Sequence, residues 1–65
     1  MNRVKYYREL KGMSQEQLEK ASGVSRVTIS DLENFKKENI KMNTMIAIAD
    51  ALEQTVQAVF FYNEG

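Results

Sequence analysis

Arg26, Val27, Ser30, Asp31 and Asn34 are spaced so that, on a helix of 3.6 residues per turn, they share one side. That side would carry a cation, two bare methyl groups, a hydroxyl and a carboxylate together. An arginine can donate two hydrogen bonds to guanine, a valine can pack on a thymine methyl, an aspartate can accept from the cytosine amino group, and a serine can serve several bases. The same mixture also suits an ordinary solvated helix surface, so these residues alone leave both readings open. No competing cluster stands out elsewhere. The chain has no histidine and no cysteine, which removes thiol chemistry, disulfides and the usual zinc ligands. It has no glycine-rich phosphate loop and no carboxylate pair set against an apolar pocket for acid–base work. An enzyme is the remotest class, and we expect no catalytic residue, metal, cofactor or small-molecule ligand.

The elements that must hold that face are marked mainly by capping. Ser14 and Gln17 form a capping box and Met13 and Leu18 a hydrophobic staple, so a helix starts at Ser14. Gly23 stops it, and Ser25 caps the next helix with Val24 and Ile29 as a second staple. Two helices joined by so short a glycine-containing turn meet at a steep angle. In the later one Ile29 and Leu32 face inward. Before this pair, the spacing predicts a helix from about Arg3 to Lys11 with Asn2 as candidate N-cap, Val4, Tyr7 and Leu10 on its inner side and Gly12 as its stop. After it, Met42, Met45, Ile46, Ala49 and Leu52 recur at helical spacing with Ile48 widening the stripe, and read as core. Thr55 caps a last short helix with Val56, Val59 and Phe60 inward, which leaves Phe61 and Tyr62 without an inner position.

Sixty-five residues without proline, repeats or low-complexity segments make one domain over 1–65. A domain of this size buries only about 60% of the surface its unfolded chain exposes, so a partner subunit would help it. The N-terminus is charged and no apolar run approaches the roughly 20 residues that span a bilayer; a cytoplasmic location without membrane contact is the expectation. Net charge is zero, but unevenly placed: residues 1–41 hold nine Lys and Arg against six acids, +3, and residues 42–65 hold three acids, −3. The face described first lies in the basic part.

Three segments in register, "KGMSQEQL", "SGVSRVTISDLEN" and "TMIAIADALEQTVQAVF", resemble the Cro and phage-repressor (XRE-type) family of helix-turn-helix transcriptional regulators, over about Val4 to Phe60. The resemblance implies an all-α, five-helix lambda-repressor-like domain whose second and third helices form the helix-turn-helix, and a partner that is double-stranded DNA. It implies that the third helix lies in the major groove with Arg26, Val27, Ser30 and Asp31 reading bases. Gln15 matches the family glutamine that meets a phosphate, Ser25 and Thr28 flank the reading surface, Asn34 sits where the family touches phosphate, and Lys36 and Lys37 follow as phosphate contacts. Arg8 and Glu33 match a pair that joins the first and third helices as a structural ion pair. Many family members dimerise along the last helix, which makes Phe61 and Tyr62 candidate dimer contacts and a near-palindromic site the expected target.

Four positions depart from the family pattern. Glu19 replaces a small residue where the second helix presses on the third, and is expected to loosen that contact or snorkel outward. Phe35 and Glu53 stand where glycines end helices; Glu53 is tolerable where the chain avoids a left-handed conformation. Asp31 would be repelled by phosphates unless it finds its cytosine. The leading function is a DNA-binding regulator, a repressor acting as a homodimer. The alternative keeps the fold and makes it a protein-interaction module, an antagonist of a related repressor or an antitoxin-like binder, using Phe35, Phe61 and Tyr62.

Overall fold

A computed structural model describes residues 2–36 and 39–62. Among them the chain forms α1 (Val4–Leu10), α2 (Gln15–Ser22), α3 (Arg26–Glu33), α4 (Met42–Ala51) and α5 (Val56–Phe60), with no strand. The local signals act as the sequence suggests. Ser14 Oγ accepts the Gln17 N–H at 3.0 Å while Gln17 Oε1 accepts the Ser14 N–H at 2.8 Å, so two N–H groups without helical partners are satisfied reciprocally. Ser25 Oγ accepts the Thr28 N–H at the start of α3, and Thr55 Oγ1 that of Ala58 at the start of α5. Gly23 turns the chain out of α2 at φ 77°. A Cβ there would meet no atom within 4 Å, so the left-handed backbone and not crowding favours glycine.

The core is built by Val4, Leu18, Ile29, Leu32, Ile48, Ala49, Leu52 and Val59, with Tyr7, Met13, Val24, Val56 and Phe60 packed partly against it. α2 packs on α3 and α4, α4 on α5, and α1 on α3 and α5. Complete burial of a Leu or Ile side chain is worth about 1.5–3 kcal/mol, and Leu18, Ile29, Leu32, Ile48 and Leu52 are all fully buried, so α3 is anchored from the interior outward. The chain's beginning is pinned to the same core. The Arg3 N–H donates to the Val59 carbonyl at 2.8 Å. Asn2 accepts the Val4 N–H and donates to the Leu32 carbonyl at 2.8 Å, so it links the start of α1 to the end of α3 although Arg3 holds the N-cap position.

Three apolar expectations fail. Leu10, Met42 and Ile46 are exposed. The buried arc of α4 is Met45, Ile48, Ala49 and Leu52; at 100° per residue Ile46 lies roughly 110° from its centre. Leu10 ends α1, beyond the rim of what α3 and α5 cover. Glu53 does not avoid the left-handed region, since its φ is 58°; Phe35 adopts the same conformation at φ 57°. Both keep the turn a glycine would make, at the cost of crowding between Cβ and the following carbonyl.

Candidate nucleic-acid interface

The turn between α2 and α3 is three residues long, and it sets α3 with Ile29 and Leu32 in the core and its other side free. Arg26 and Val27 are exposed, Val27 at 71%, while Ser30 and Asp31 are half-buried. These four, together with Gln15 from α2, line one shallow depression. The residues at the proposed reading positions are thus brought together, and Gln15 stands at their edge.

The supports of that face were only partly legible. Arg8 donates to Glu33 through two hydrogen bonds, Nε to Oε2 at 2.7 Å and Nη2 to Oε1 at 3.0 Å, and its Nη1 donates to the Met13 carbonyl at 2.7 Å. The two side chains are 11% and 4% exposed. The Glu33 hydrogen bond raises the Arg8 pKa above the ordinary guanidinium value, against the opposite pull of desolvation. Gln15 Nε2 also donates to Glu33 Oε1 at 3.1 Å, which fixes the amide orientation and directs one N–H inward. Nothing in the sequence spacing signals that bond, because it joins the start of α2 to the end of α3.

Glu19 bridges to α3 instead of snorkelling into solvent: it is half-buried, and its Oε2 accepts the Arg26 N–H at 2.8 Å. Ser25 already takes the Thr28 N–H, so the first turn of α3 has two of its open donors filled by side chains. The signal was present in part, since Glu19 lies one turn after Gln15 on the same side of α2.

The remaining named residues are placed differently. Ser25 Oγ donates to Thr28 Oγ1 at 3.0 Å, so the two flanking hydroxyls serve each other. Thr28 opens onto another cleft, lined also by Gly23, Val24, Ile40, Lys41 and Thr44. Asn34 Nδ2 folds back on its own helix to the Ser30 carbonyl at 3.0 Å. Lys36 is exposed just beyond α3, and Lys37 lies outside the described residues. Phe61 is 56% exposed, whereas Tyr62 is half-buried with its ring covering Arg3 at 3.9 Å. Among the described residues there is no cluster of three or more potential metal ligands, and no helix is long and apolar enough to cross a membrane.

Comparison with known proteins agrees with this geometry. A family model described as Helix-turn-helix matches residues 4–58. The chain is similar to Control protein C.SmaI of Serratia marcescens, 40% identical over 53 residues. That match covers 82% of this chain and 62% of the relative, so the chain spans less than two thirds of the relative's length. With capped α2, the glycine turn and an α3 that shows its polar side to solvent, the chain belongs to the XRE-type helix-turn-helix family, a family of DNA-binding transcription regulators.

Proposed function

We propose that this chain is a sequence-specific DNA-binding regulator that inserts α3 into the major groove and, as a homodimer on a near-palindromic operator, represses transcription by occluding a promoter. The observation that carries the reading is the single surface formed by Arg26, Val27, Ser30, Asp31 and Gln15 on a helix locked from behind by Ile29, Leu32 and the Arg8–Glu33 pair. Hydrogen-bonding groups and a methyl pair held rigidly at one face are what base-edge readout requires. In this reading Gln15 donates its outer amide N–H to a phosphate, with Lys36, Lys37 and Asn34 as further backbone contacts and Ser25 and Thr28 flanking. Two copies would set their α3 helices about 34 Å apart. The relative's name, a control protein, supports a regulatory role.

Selection of bound sites from random duplexes with the purified protein tests this. Recovery of a motif with two inverted half-sites about one turn apart supports it, and affinity should fall steeply with salt. The exposed rings of Phe35 and Phe61 favour a second reading, a protein-binding module of the same fold. Absence of salt-dependent binding to any duplex would replace the first reading by the second.

A further inference from the structure

The carboxylate of Glu19 stands beside the proposed reading face and forms no side-chain ion pair among the described residues. It is half-buried between α2 and α3 and is held by a backbone donor, the Arg26 N–H at 2.8 Å. Among the described residues it takes part in none of the ion pairs, which join Arg8 to Glu33, Lys11 to Glu53 and Lys20 to Glu16. Its position is therefore fixed by the first turn of α3, whose N–H groups offset part of the charge, while no side-chain cation pairs with it among the described residues. Arg26, whose N–H it holds, lines the depression that also contains Asp31, so the depression itself carries one charge of each sign and Glu19 adds a negative charge beside Arg26.

A face of that sign has a consequence for which duplexes are bound. Affinity for arbitrary sequence comes almost wholly from attraction to phosphates, whereas the correct site adds hydrogen bonds to base edges. In a loosely docked, wrong-sequence complex α3 lies over the backbone, and a fixed anion there is within the screening distance of about 8–10 Å from several phosphates. In the correct complex the helix is seated in the groove and its base contacts offset the repulsion.

We propose that Glu19 is a specificity-determining residue: anchored on the α3 backbone, its negative charge weakens binding to non-cognate DNA more than binding to the operator. The inference rests on the DNA-binding reading above and extends it to a residue outside the base-reading set.

The test compares the full chain with Glu19→Gln and Glu19→Ala by fluorescence anisotropy, on the selected operator and on a scrambled duplex, across a salt series. Gln keeps an oxygen that can accept the Arg26 N–H, and so changes charge with little change of architecture. The expected result is that Glu19→Gln binds scrambled DNA roughly three- to tenfold more tightly at low salt, gains less on the operator, and has a steeper salt slope. Glu19→Ala, which also removes the anchor, should show the same gain on scrambled DNA even with a lower melting temperature. A purely structural role for Glu19 moves affinities the other way: parallel loss on both duplexes overturns the proposal, as does an unchanged ratio in both variants. A parent that binds no duplex overturns the DNA-binding reading and this proposal together; a parent that binds, with unmoved discrimination in the variants, overturns this proposal alone.

Discussion

Arg8 and Glu33 face each other across α1 and α3 in a two-pronged pair, Nε to Oε2 at 2.7 Å and Nη2 to Oε1 at 3.0 Å, with most of both side chains out of water. The third nitrogen of the guanidinium holds the Met13 carbonyl, and Gln15 shares the Glu33 carboxylate. One charge pair therefore joins α1, the entry to α2 and the end of α3, and its loss should be felt as stability before it is felt as affinity.

Replacing either partner leaves a poorly solvated charge behind. Arg8→Ala should lower the free energy of unfolding by about 3 kcal/mol or more, enough to threaten a domain of this size. Urea denaturation measures it. An Arg8→Ala protein with the parent's midpoint but weaker DNA binding would show that the arginine serves DNA and not the fold.

On the reading face, Arg26→Ala should cost about 1–3 kcal/mol and relax preference at one base pair, whereas Lys36→Ala should weaken all duplexes alike and reduce the salt slope by about one. Competition binding against single-base variants of the selected site separates the two patterns. Equal losses on every variant with Arg26→Ala would assign it to the backbone instead.

The pair between Lys11 and Glu53 ties the end of α1 to the link after α4, and the hydrogen bond from Lys11 holds the Glu53 carboxyl below its ordinary value of 4.5. A carboxyl whose pKa is lowered by folding stabilises the folded state above the ordinary value, and loses that contribution as pH falls through the lower folded value. Both groups meet solvent, so the effect is small and screened by salt. The melting temperatures of the parent and Glu53→Gln should differ slightly at neutral pH and low salt, and converge below the folded value. A difference that persists in acid would mean that the glutamate acts through something other than its charge.

If copies associate along the last helix, Phe61 is the exposed ring at its end and Tyr62 is partly engaged by Arg3. Phe61→Glu should then shift sedimentation toward monomer and weaken binding to a two-half-site duplex, with little change in melting of the monomer. A parent that sediments as monomer at high concentration removes the dimer from the mechanism.

What the sequence determined by itself is the set of features whose causes lie within about four residues: the capping box at Ser14, the caps at Ser25 and Thr55, the glycine turn at Gly23, and the inward Ile29 and Leu32 that leave Arg26, Val27, Ser30 and Asp31 outside. Helix starts and periodicity are local chemistry, so they can be read before any contact is known. The pairing of Arg8 with Glu33 came from resemblance, and the geometry places the two together. Only the tertiary structure decided which arc of each helix is covered, and so placed Leu10, Met42 and Ile46 outside although their spacing reads as core. It also decided where the flexible polar side chains go. Glu19 finds the Arg26 backbone, Gln15 finds Glu33, and Asn34 turns back on Ser30, because a side chain with several rotatable bonds chooses among donors that packing alone brings within reach. Phe35 and Glu53 are left-handed for a similar reason: α3 and α4 must end where the core ends, and the backbone bends there whether or not a glycine is present.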